Sequence, residues 1–120
     1  MRILIADGQK NVRHALVVLL ATQAGLQTVG EASCGEELLL QAGTIDADIA
    51  LVDWELPGLA ELGGLAALRR LYPDLLIVVL SSRPGVRRAA QMAGLEAFVS
   101  KGDPPERLLA VIRECSEAAN

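Results

Sequence analysis

Apolar and polar positions along this chain fall into two alternating kinds of block. Short, nearly continuous apolar runs end at Ala6, Val52 and Leu80, and the run from Leu75 to Leu80 is the most β-branched. Runs of this length bounded by turn residues predict buried strands, over Arg2 to Ala6, Leu26 to Ala32, Ile49 to Val52, Leu75 to Leu80 and Leu95 to Ser100. Between them the apolar residues recur at helical spacing: Val12, Leu16, Leu19 and Leu20 after Asn11; Leu62, Leu65, Leu68 and Leu71; Val86, Ala89, Ala90 and Met92; Leu108, Val111, Ile112 and Cys115.

The punctuation agrees with these blocks. Gly25 and Gly94 are placed as left-handed stops, Gly43 as the end of a helix over Glu36 to Gln41, and Pro73 as the end of the third helix. Ser33 with Glu36 reads as a capping box, and Pro84 suits the first turn of a short helix. Asp103-Pro104-Pro105-Glu106 is a helix start with Asp103 as the cap. Five strands alternating with five helices predict an α/β fold, a doubly wound parallel sheet covered by helices on both faces.

The candidate chemistry lies where the strands stop. The apolar run before Leu51-Val52-Asp53-Trp54-Glu55-Leu56-Pro57-Gly58 breaks on Asp53, and Pro57-Gly58 forces a turn after it. The first strand ends on Asp7, the fourth on Ser81-Ser82 and the fifth, Ala97-Phe98-Val99-Ser100, on Lys101. In an open parallel sheet the carboxyl ends of strands form the ligand crevice, so two carboxylates, a hydroxyl and an ammonium are expected around one cleft. Each taken singly has an ordinary reading: Asp53 as a cap, Lys101 as a snorkelling surface lysine, Phe98 as core. Their joint placement favours a site.

Composition narrows the class. The chain has 120 residues, enough for one domain and one core, with 52% hydrophobic and 2% aromatic residues. Its 11 basic and 15 acidic residues leave a net charge of −4, which argues against direct contact with nucleic acid. No apolar run approaches the roughly 20 residues needed to cross a bilayer. Asp7 interrupts the apolar stretch after Met1-Arg2, so no signal peptide is read and the chain is expected to be cytoplasmic, with no membrane partner. Cys34 and Cys115 have no metal or redox spacing and are read as reduced.

The series Asp7, Asp53-x-x-Leu56-Pro57-Gly58, Ser81 and Phe98-x-x-Lys101 resembles the receiver domain of two-component response regulators, over essentially the whole chain. That resemblance implies a flavodoxin-like sheet of order 2-1-3-4-5. It implies that Asp53 accepts a phosphoryl group from a sensor histidine kinase and that Lys101 and a bound Mg2+ neutralise the transferring oxygens. It further implies that Ser81 bonds a phosphoryl oxygen after transfer, with Ser82 taking that part if the strand register is shifted by one, and that Phe98 is an aromatic switch whose rotamer follows Ser81. Signalling through a changed surface is implied, not enzymatic turnover. The segment Lys101-Gly102-Asp103-Pro104-Pro105-Glu106-Arg107-Leu108 is similar to receivers of the LuxR/NarL-like subfamily that precede helix-turn-helix DNA-binding domains. Residues 1–120 are read as a single receiver domain without an output domain, and a weak homodimer is expected.

Three departures from the family pattern carry consequences. The second of two adjacent acidic residues, which coordinates Mg2+ directly in the family, is Gly8 here. Asp7, Asp53 and Glu55, the last through backbone or side chain, remain as candidate metal ligands, and weakened or absent binding is expected because Mg2+ demands near-octahedral oxygen coordination. Glu55 and Arg83 flank the pocket mouth with Gly8, and a salt bridge between the two is expected. The stretch from Ser81 to Lys101 is about two residues short of the family's usual length.

Gly8 supports a competing reading, a pseudo-receiver that binds partners without being phosphorylated. A phosphohydrolase of the haloacid-dehalogenase type is a distant third, since Asp53-x-Glu55, Ser81 and Lys101 occur there in the same order. His14 is read as solvated, Trp54 as a rim residue, and Arg83, Arg87 and Arg88 as a solvated face near the output surface.

Overall fold

Burial follows the alternation of side chains along the strands, and that alternation builds two cores. The structure, a computed structural model, describes residues 1–95 and 97–119. Strands β1 (Arg2–Ala6), β2 (Gln27–Ala32), β3 (Ile49–Asp53), β4 (Leu76–Ser81) and β5 (Ala97–Ser100) alternate with helices α1 (Lys10–Ala21), α2 (Gly35–Thr44), α3 (Gly64–Leu71), α4 (Val86–Met92) and α5 (Pro105–Ala119). All pairings are parallel and the order is β2-β1-β3-β4-β5, the flavodoxin-like arrangement.

Because successive strand residues point to opposite faces, Leu4, Ala50, Val52, Ile77, Val79 and Phe98 pack under Leu38, Leu65, Leu68 and Ala90. Ile3, Ile5, Ile49, Leu51, Val78, Leu80 and Val99 pack on the other side with Leu20, Leu108 and Ile112. Beyond Arg2, the three central strands are therefore apolar until they stop, which forces the polar residues that end them to the rim of the sheet. Register aligns those rims: Asp53 pairs with Leu80 and Ser81 with Ser100.

Several boundaries differ from the sequence reading, each for a tertiary reason. Helix α2 starts at Gly35, and the carboxylate that reaches back to the Ser33 backbone N–H, at 2.8 Å, and to its hydroxyl is Glu37, not Glu36. Gly35 fixes this start: its N–H donates to the Pro57 carbonyl at 2.7 Å, and a Cβ there would lie 2.7 Å from Leu59 backbone atoms. Gly43 does not stop α2. It lies within the helix where a Cβ would meet the Tyr72 hydroxyl at 2.7 Å, and that hydroxyl donates to the Leu39 carbonyl.

Helix α4 begins after Gly85, whose φ of 85° breaks the chain there, so Pro84 stays outside it. Helix α5 opens at Pro105, and the Asp103 carboxylate accepts the Ser100 N–H at 3.2 Å, closing the turn out of β5. Of the expected fifth strand, Leu95 precedes β5 and Glu96 lies outside the described residues.

Candidate functional site

The Pro57-Gly58 turn holds the floor of the site in place. Gly58 has φ 80°, the Leu59 N–H donates to the Leu56 carbonyl at 3.2 Å, and buried Leu56 and Leu59 pin the turn to the core. Asp53, the last residue of β3, thereby faces an open cavity of about 560 Å³ lined by Gly8, Gln9, Asp53, Glu55, Pro57, Ser82 and Lys101. The Trp54 N–H donates to the Leu80 carbonyl and the Lys101 N–H to the Ser81 carbonyl, both at 2.9 Å, which locks the three strand ends together.

Charge is arranged around a single ammonium. Lys101 Nζ donates to Asp7 Oδ2 at 2.7 Å and lies 3.5 Å from Asp53 Oδ2. Asp7 is fully buried, and its second oxygen accepts the Gln9 N–H at 2.9 Å. Asp53 Oδ1 accepts the Glu55 N–H at 3.1 Å. Burial, by stripping water from the ionised form, pushes the Asp53 carboxyl above the usual carboxylate range, against the Glu55 N–H and Lys101, which favour the anion. A half-desolvated carboxylate beside an ammonium, open on one side, is the geometry of a nucleophile for an incoming electrophile.

The remaining sequence candidates fall into place at the rim. Ser81 is buried, with its Oγ accepting the Arg83 N–H at 3.0 Å, while neighbouring Ser82 lines the cavity wall. Arg83 Nη1 and Glu55 Oε2 pair at 3.6 Å, as expected from their positions. Phe98 points inward, 9% exposed, and the Arg87 guanidinium lies over its ring at 5.1 Å from the centroid. From sequence Arg87 reads as part of a solvated face, with a partner contact at the output surface as the minority reading, and not as a neighbour of Phe98. Arg13, which the sequence pattern does not single out, donates from Nη1 to the Asp7 carbonyl at 2.8 Å and pairs through Nε with Glu31. Its place one turn into α1, beside the β1 rim, was the available signal. His14 is exposed on α1 and Trp54 is partly exposed.

The residues present do not make a good Mg2+ site. Each of the four carboxylate oxygens of Asp7 and Asp53 already faces a donor, and no group of three acidic, His or Cys ligands converges among the described residues. Position 8 offers no side chain, and a Cβ there would sit 2.9 Å from Pro57 Cδ. A divalent ion would have to share Asp7 with the Lys101 ammonium, against charge repulsion.

A protein-family profile for the response regulator receiver domain matches residues 3–113. The chain belongs to the response regulator receiver family. The chain is 35% identical over 120 residues to response regulator GacA of Pseudomonas aeruginosa, covering 95% of this chain and 54% of GacA. It is 29% identical over 115 residues to response regulator UvrY of Escherichia coli K12, covering 94% of this chain and 53% of UvrY. The receiver thus spans about half the length of the curated relatives it matches.

Solved structures share the fold. The Salmonella typhimurium RcsB response regulator superimposes with a TM-score of 0.90 at 23% identity, covering 98% of this chain and 59% of RcsB. A LuxR-family DNA-binding response regulator from Staphylococcus aureus superimposes with a TM-score of 0.85 at 22% identity, covering 99% of this chain and 98% of that one. Response regulators are signalling proteins of two-component systems, and receiver domains generally bind Mg2+. No helix among the described residues is long and apolar enough to cross a membrane.

Proposed function

We propose that this receiver accepts a phosphoryl group on Asp53 from a phosphohistidine of a sensor kinase and relays the change through its surface. An Asp53 oxygen attacks phosphorus, a P–O bond forms as the P–N bond breaks, and the histidine nitrogen leaves, taking its proton from solvent. Lys101 neutralises charge on the transferring oxygens. Ser81 donates its hydroxyl hydrogen to a phosphoryl oxygen, and Phe98 with Arg87 follows the loop that Ser81 draws in. The observation that carries the reading is Asp53 Oδ2, 3.5 Å from Lys101 Nζ on the wall of an open cavity at the carboxyl end of a buried strand.

The sequence likeness to GacA supports a role in regulation, and the LuxR-family structure supports an output through a DNA-binding partner domain, with this acidic domain making no nucleic-acid contact of its own. A cytoplasmic setting and a weak homodimer complete the proposal. Intact mass after incubation with acetyl phosphate tests it: a phosphate adduct present in the wild type and absent in Asp53→Asn is expected. A folded wild-type protein that forms no adduct under any condition overturns the reading in favour of a phosphorylation-independent interaction module.

A further inference from the structure

We infer that Arg83, released from Glu55, is the second cation met by the transferring phosphoryl group, so that capture at Asp53 proceeds without a divalent metal. The inference rests on Asp53 being the phosphoacceptor and adds what neutralises the charge it takes on.

The charge balance requires a second cation. Asp7, Asp53 and Glu55 against Lys101 and Arg83 leave the cluster at −1, and phosphorylation replaces the single charge of Asp53 with an acyl phosphate of about −2, which takes the cluster to about −2. Lys101 is already divided between two carboxylates. The family's solution is a metal, but here position 8 lacks a carboxylate and every oxygen of Asp7 and Asp53 faces a donor.

Arg83 is built to fill the gap. Its pair with Glu55 is long, at 3.6 Å, and the two side chains are 66% and 45% exposed, so water screens the attraction and the pair opens at little cost. A phosphoryl group offers the guanidinium a better partner, because its paired oxygens match the two-pronged donor geometry. Both ends of the bridge are anchored by backbone to the residues that react. The Glu55 N–H donates to Asp53 Oδ1 and the Arg83 N–H donates to Ser81 Oγ. The Ser81 hydroxyl donates its hydrogen to a phosphoryl oxygen while its lone pair still accepts the Arg83 N–H, so the loop that Ser81 draws in carries Arg83 toward the same group. Glu55 acts as the resting counter-ion, a competitor whose removal leaves Arg83 free for phosphate. Lys101 and Arg83 thus approach the transferring group from the floor and the mouth of the cavity.

The test is the rate of phosphate-adduct formation from acetyl phosphate, read by intact mass, in EDTA and in Mg2+, for the wild type, Arg83→Ala, Arg83→Lys, Glu55→Gln and Asp53→Asn. In EDTA the wild type is expected to label within a few-fold of its rate in Mg2+, and Arg83→Ala to fall by about tenfold or more, as when one oxyanion donor is removed. Arg83→Lys recovers part of the rate, and Glu55→Gln is at least as fast as the wild type. Because Arg83 is exposed, its variants should melt with the wild type, which separates the effect from misfolding. The fluorescence of Trp54, beside Asp53, should show no saturable response to Mg2+ alone.

An adduct that forms only with Mg2+, or an Arg83→Ala rate in EDTA equal to the wild type, overturns the inference and leaves the phosphoacceptor reading standing. No adduct in any folded variant under either condition removes both.

Discussion

Lys101 Nζ and Asp7 Oδ2, 94 positions apart in the chain, meet at 2.7 Å beneath the cavity, and the Asp7 side chain keeps only 1% of its exposure. A carboxylate this buried depends on its partner, since an ion left alone there bears its full desolvation cost. Lys101→Met is therefore expected to lower stability by about 2 kcal/mol or more. Adding Asp7→Asn should restore much of that loss, because a neutral amide still accepts the Gln9 N–H. Urea unfolding of the two single variants and the double variant measures the coupling. Simple additivity would mean the pair contributes nothing.

Asp53 should behave oppositely. Burial raises its carboxyl in the folded state above the unfolded value, so the native protein binds the proton more tightly. The contribution this makes is present below the ordinary carboxylate range and is lost as the pH rises through the raised native value. Asp53→Asn is therefore expected to be more stable than the wild type at about pH 7, with the gap narrowing toward about pH 3, below the ordinary carboxylate value, where the wild-type carboxyl is mostly protonated whether folded or unfolded. Lys101 keeps its bond to Asp7 in the variant, so no buried cation is stranded. Urea midpoints at the two pH values that differ from the wild type by the same amount would contradict the burial account.

Gly8→Asp returns a carboxylate to the place where the family carries one. The new Cβ starts 2.9 Å from Pro57 Cδ, and the pyrrolidine ring cannot fold away, so the turn on which Leu56 and Leu59 depend has to shift. In the absence of metal the variant is expected to lose about 1 to 3 kcal/mol, the usual cost of overpacking, to which a third carboxylate beside Asp7 and Asp53 adds repulsion. Millimolar Mg2+ should raise its melting temperature while leaving the wild type unmoved, because a ligand stabilises only the state that binds it. A wild type that gains as much from Mg2+ as the variant would show that Gly8 does not limit metal binding.

Lys101 and Asp7 also mark where sequence legibility runs out. That Asp7, Asp53, Ser81 and Lys101 stand at strand ends is written locally, because an apolar run must stop where the chain meets water. Which of them touch is set by strand order and register, and the 2-1-3-4-5 order was reached by resemblance, not from local pattern. The opposite charges of Glu55 and Arg83, each two residues past a strand-end group, made their pairing foreseeable. The stacking of Arg87 over Phe98 was not, since an arginine on an exposed helix turn reads as a solvated charge until the neighbouring strand is in place.

Glycine shows the limit most clearly. In sequence Gly43 reads as a helix end, and only the approach of the Tyr72 hydroxyl explains a glycine inside α2. Gly35 likewise shifts the helix start because its backbone meets the Pro57 turn. By itself the sequence determined the period of each segment, hence five strands, five helices and the polar residue ending each central strand. Tertiary structure decided the helix starts, the sharing of Lys101 between two carboxylates and the shape of the pocket mouth. The physical reason is one of range: hydrophobic periodicity acts between residues two to four apart, whereas close contacts and charge pairs depend on distances fixed only once distant strands lie side by side.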